Sequence, residues 1–120
     1  MTGPAAGLPP DVAEALDVLL GTEDAVHRAL RLQVPHLRAT GRCSCGCGTT
    51  DFDLDAEAVA AAPLPAGTVV AAEAQLYDAA EHCIGEILAF TQNGRLAWLE
   101  LCSWSDTPLT LPDALRMLRP

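Results

Sequence analysis

Three cysteines at alternate positions, Cys43, Cys45 and Cys47, stand in the run Gly41-Arg42-Cys43-Ser44-Cys45-Gly46-Cys47-Gly48. Thiolates bind soft metals and carry redox chemistry. A structural zinc site is tetrahedral and takes four Cys or His ligands, usually as C-x2–4-C pairs. The C-x-C spacing is tighter than that. In a flat strand alternate sulfurs lie ~6–7 Å apart, from a rise of ~3.3 Å per residue. Shared ligation therefore needs a bent backbone, which Gly46 and Gly48 permit. The triplet offers three ligands for zinc or copper, with His36, Cys83 or Cys102 as the further one. The same residues also suit a thiol-redox centre, or a structural turn whose cysteines are incidental. Cys83 and Cys102 taken alone read as small buried hydrophobes.

A second pattern is Asp51-x-Asp53-x-Asp55-x-Glu57. It begins like an EF-hand loop, but the sixth and twelfth positions are Ala56 and Ala62 where that loop needs Gly and Glu. An alternating strand explains the spacing better. It leaves a row of carboxylates on one solvent face, an interaction surface for a basic partner. The three histidines, His27, His36 and His82, form no ligand pair. No nucleophile elbow, Walker loop or dinucleotide fingerprint is present. Glu86 and Glu100 lie in an apolar hairpin and mark its exposed face or a sheet edge. The reading is that of a protein without catalysis.

These residues belong to a chain of 120, a usual length for one domain. Its 16 acidic and 7 basic residues give a net charge of −9, and all the bases are arginine. Phosphate contacts need cations, so nucleic acid and anionic membrane surfaces are poor partners. The charge is also uneven. Between Cys43 and Gly94 there are eight acids and no base, whereas Arg28, Arg31, Arg38 and Arg42 precede that stretch. No secretion signal opens the chain, and no apolar run has the length of a membrane span. A cytoplasmic protein with reduced thiols is expected. The five aromatic residues are Phe52, Tyr77, Phe90, Trp98 and Trp104. The core must come from Leu, Val, Ile and Ala around these few anchors.

The elements that must position these groups follow from periodicity. Residues 1–10 read as a flexible leader, and 11–120 as a single α+β domain. Asp11 caps a helix with Val12, Leu16, Leu19 and Leu20 on one face, ended by Gly21. Thr22 caps a second helix, interrupted at Pro35, and the two helices pair antiparallel. Thr50 to Asp55 is a half-buried strand with Phe52 and Leu54 inward. Thr68 to Tyr77 is another, with Val70, Ala72, Ala74 and Leu76 on one face. Cys83 to Phe90 and Arg95 to Trp104 flank Asn93-Gly94, the preferred pair for a type I′ turn. That register sets Gln92 against Arg95, Phe90 against Ala97 and Leu88 against Leu99. It places Cys102 across from Gly85, on the face of Cys83. Trp98 and Trp104 share a face, and Leu111 to Leu118 forms a last short helix. The expected fold is α+β, with two N-terminal helices packed on a mainly antiparallel sheet of about four strands.

The segments Gly41 to Cys47, Asp51 to Asp55, Gly85-Glu86 to Phe90, Gly94 to Glu100 and Leu111 to Asp113 together resemble a group of small actinobacterial proteins of unknown function. That group shares a Gly-Arg-Cys-x-Cys-Gly-Cys segment and a Gly-Glu…Leu-x-Phe…Gly-x-Leu…Leu-Glu hairpin. This chain has Gly48 where the group often carries proline. The resemblance implies a domain identity and no activity. The residues themselves favour a small acidic protein-interaction domain of the immunity-protein type, an analogy of size and charge. A zinc or copper module and a thiol-redox protein are the alternatives.

Overall fold

The computed structural model describes residues 7–43, 48–104, 106 and 108–118. Helix α1 spans Pro10–Leu19 and α2 spans Ala25–Gln33; a short 3-10 turn, Val34–His36, follows. The strands are β1 (Leu37–Arg42), β2 (Thr50–Leu54), β3 (Thr68–Tyr77), β4 (Cys83–Gln92) and β5 (Arg95–Ser103). Helix α3 (Leu111–Leu118) comes last, over the span its periodicity predicts. The fold is α+β. The strands form one antiparallel sheet of five, in the order β1-β2-β5-β4-β3. It thus holds one strand more than the sequence suggested, and its third helix is the C-terminal one expected over 111–118.

The extra strand is β1. Leu37 continues the apolar stripe of α2 in sequence, but Pro35 stops that helix and Leu37 turns into the sheet opposite Leu54. Helix caps also differ in detail. Asp24, not Thr22, caps α2 by accepting from the His27 amide (2.9 Å), while Thr22 donates to Asp24. Asp11 sits inside the first turn of α1, where Pro9 and Pro10 set the start. Its carboxylate accepts from Arg42 of β1 at 2.6 Å. Helix α1 packs against α3. The leader is anchored where it is described: Leu8 is buried in the core and the Gly7 carbonyl accepts from Ala39. That bond covers part of the β1 edge.

All three helices pack on one side of the sheet. The core there is aliphatic: Val12, Leu16, Leu20, Leu30, Leu37, Leu76, Ile87, Leu99 and Leu111 are almost fully buried. None of its fully buried side chains is aromatic. Hairpin β4–β5 turns at Asn93 (φ 52°) and Gly94 (φ 78°), the two positive values a type I′ turn requires. Gly94 could be nothing larger, since a Cβ there would lie 2.6 Å from the Ala62 carbonyl oxygen.

The connection from β2 to β3, residues 55–67, passes around this turn. Ala62 donates to the Gly94 carbonyl (2.8 Å), and Gly67 and Asn93 bond each other. Gln33, buried at the end of α2, closes the arrangement. Its amide donates to the carbonyls of Ala60 (3.2 Å) and Gly94 (3.0 Å) and accepts from the Leu96 amide (2.9 Å). Among the described residues β2 pairs with β5 at two positions, Thr50 with Leu99 and Asp51 with Trp98, and the Thr49 hydroxyl accepts from the Leu101 amide (3.1 Å).

The hairpin register departs from strict alternation. Gln92 does face Arg95, but Phe90 faces Trp98 and Leu88 faces Glu100, because Ala97 is an unpaired bulge residue. Cys102 accordingly faces Glu86, and Gly85 faces Ser103. Ala71 is a second bulge. It separates Val70 from the inward set Ala72, Ala74 and Leu76 and leaves Val70 41% exposed on the other side. The bulges exchange small residues for large ones on the two faces, and so decide what the second face presents.

Candidate functional site

The face of the sheet turned away from the helices is the candidate site. Among the described residues no helix packs on it. Side chains alternate along strands, so the pairings place its members in rows. One row runs across all five strands: Val70, Phe90, Trp98, Asp51, Gly41. The next holds Glu73, Leu88 and Glu100; the third holds Gln75, Glu86 and Cys102. Tyr77 extends the same side of β3, and its hydroxyl donates to Gln75 (2.8 Å). Trp104 continues the alternation past β5 and is 55% exposed.

Four of the five aromatic residues therefore lie on this side, and Phe52 alone packs against the helix-covered core. Leu88 is buried without belonging to that core. Phe90 and Trp98 stack with ring centroids 4.4 Å apart and planes inclined by 14°. The separation is close to the ~4.8 Å between neighbouring strands, so both rings stand up from the sheet side by side. Such a stack contributes about 0.5–1.5 kcal/mol beyond its burial. The indole is fixed further by Nε1, which donates to Glu100 at 3.1 Å. The other oxygen of Glu100 accepts from the Cys102 thiol at 3.3 Å. This carboxylate is thus held between two neighbours of its own strand.

Charge on this face is mostly negative: Asp51, Asp53, Glu73, Glu86 and Glu100. Arg38 bonds Asp53 at 2.6 Å across the β1–β2 pair. Arg95, at the hairpin end, turns its guanidinium to the Ala56 carbonyl (3.3 Å). Of the carboxylate row expected from the sequence, Asp51 and Asp53 lie on this face. Asp55 and Glu57 follow the end of β2, where Asp55 accepts from the Glu57 amide (2.9 Å) and shapes a turn. Both are exposed. Glu73, Glu86 and Glu100 replace them as the acidic members of the face.

The cysteine run is only partly in view. Cys45 and Cys47 lie outside the described residues. Cys43 is exposed at the end of β1, and its amide donates to the Thr49 carbonyl (2.8 Å). The further ligands considered for it stand elsewhere. His36 precedes β1 and Cys43 follows it, which separates them by roughly 20 Å along the strand. Cys102 is on β5 and Cys83 on β4, two and three strands from β1. Among the described residues no three His, Cys, Asp or Glu side chains are grouped to hold a metal ion.

The stack and its row were not foreseen, because strict alternation set Phe90 against Ala97. One signal was available. Leu96, Leu99 and Leu101 are the large aliphatic residues of β5, and all three can point inward only if one residue between Leu96 and Leu99 is extruded. No described helix is long and apolar enough to cross a membrane. Comparison with family models, with curated proteins and with solved structures finds no match for the chain.

Proposed function

We propose that this protein is a non-catalytic interaction module that binds a basic protein partner one to one through the helix-free face of its sheet. The observation that carries this reading is the composition of that face. Aromatic residues make large, stiff contact surfaces and are enriched where proteins meet. Here they are placed on the side that no described helix covers, while the core is left aliphatic. Carboxylates surround them, and the net charge of −9 extends the field beyond the contact. Opposed charge of this kind steers association and rejects acidic competitors.

The test is binding to cationic protein probes, lysozyme and cytochrome c, with acidic ovalbumin as the control. The expected result is one-to-one binding to a cationic probe that weakens by about tenfold as salt rises from low to physiological strength. Glu73→Gln with Glu86→Gln is expected to weaken it at low salt. Binding to neither cationic probe, or binding indifferent to salt and to the double variant, would overturn the reading.

A further inference from the structure

Within this docking face one position is shaped for a single kind of side chain. We infer that the partner's anchor is an arginine, received against the outer face of Trp98 and above Asp51. The inference rests on the reading of the face as a partner surface and adds the chemistry that the partner must supply.

The geometry is as follows. Phe90 covers one face of the Trp98 indole. Because the two rings stack along the strand-to-strand direction, the opposite face of the indole looks toward β2. Its register partner there is Asp51, a short side chain that rises less far from the sheet than a ring. Opposite Asp51 on β1 is Gly41, which has no side chain at all. The Asp51 carboxylate leans over that position: Oδ2 lies 3.5 Å from where a Gly41 Cβ would stand. The result is a slot with an aromatic wall, a carboxylate floor and an open side. The wall is held in place by the bond from Trp98 Nε1 to Glu100.

The chain itself shows what such a place takes. Two rungs along the same strand pair, Arg38 of β1 reaches Asp53 of β2. At Asp53 the strand pair supplies its own guanidinium, and at Asp51 it supplies glycine. Among the described residues Asp51 makes no side-chain hydrogen bond or ion pair. A guanidinium fits the slot in both respects that matter. It is flat and stacks on an indole face, and its edge donates two parallel hydrogen bonds to a carboxylate. An ammonium matches the charge but neither the plane nor the fork.

The experiment compares octa-arginine with octa-lysine at one ionic strength. It is read by the NMR shifts of the Trp98 indole N–H and of the Asp51 amide, and by fluorescence in a Trp104→Phe background. The expected result is tighter binding of octa-arginine by about tenfold, with both signals shifting. Asp51→Asn should remove most of that preference. Gly41→Arg supplies the guanidinium from β1, and is expected to abolish the Trp98 response while leaving residual binding of both peptides elsewhere on the face. A Cβ at Gly41 would make only an ordinary contact, 3.5 Å from Asp51 Oδ2. Equal affinity for the two peptides, or shifts confined to other residues, would overturn the arginine slot and leave the basic-partner reading standing. Failure of both peptides to bind would overturn both.

Discussion

Gln33 shows how one side chain can decide the arrangement of three segments. It is fully buried and makes three hydrogen bonds to backbone groups of the 55–67 connection and the β4–β5 hairpin. Nothing local in the sequence marks it, because a glutamine on a helix ordinarily faces water. Its removal strands the Leu96 amide and takes the donor from the Ala60 carbonyl, while the Gly94 carbonyl keeps the Ala62 amide. Each stranded group contributes a penalty of about 1–3 kcal/mol, so Gln33→Ala is expected to lose about 3 kcal/mol in urea unfolding. Gln33→Leu restores volume without the bonds and should remain similarly destabilised. A loss below 1 kcal/mol in both would show that the amide does not tie the segments. The turn residues beside it were legible for the opposite reason. Asn93-Gly94 is read directly from sequence, because few pairs accept two positive φ values.

At the scale of elements, the turns and caps depend on aspartates. Thr22 and the His27 amide bond Asp24 and hold its carboxyl below the ordinary value of 3.8. The His82 and Ala80 amides do the same for Asp78, and the Thr110 amide and hydroxyl, with Arg116, for Asp113. A carboxyl whose pKa is lower in the folded chain stabilises the fold above its unfolded pKa, and that contribution is lost as pH falls through the folded value. The unfolding midpoint should therefore be flat with pH near neutrality and fall below about 4. Replacing the three aspartates with asparagine keeps the capping oxygens and removes the titration, so the acid fall should become shallower. An unchanged acid limb would remove these caps from the account.

The helices and strands themselves were legible wherever a clear period ran between turn signals, as in β3, β4, β5 and α3. Strand β1 was not. Its Thr40-Gly41-Arg42 end has no apolar alternation, and the strand exists because Leu37 and Ala39 find partners in Leu54 and Phe52. The bulges at Ala71 and Ala97 were equally hidden, since they answer to packing across the sheet.

For the whole molecule, the second face poses a problem of self-recognition. An aromatic and aliphatic stripe of Val70, Leu88, Phe90 and Trp98 invites a second copy to cover it. The carboxylates beside the stripe oppose this, because two copies face to face would bring like charges together. Glu73→Gln with Glu86→Gln is thus expected to raise self-association at low salt. Sedimentation velocity would show it as a concentration-dependent shift toward dimer that the unaltered protein lacks. Equal behaviour of the two proteins would assign solubility to the remaining charge.

The two-position join between Asp51, Thr50 and their partners on β5 makes the sheet a structure with a seam. On one side lie the two strands β1 and β2, and on the other the three-stranded meander. The Trp98–Asp51 slot straddles that seam. A side chain seated there would act as a clasp across it, slowing hydrogen exchange in β1 and β2 together.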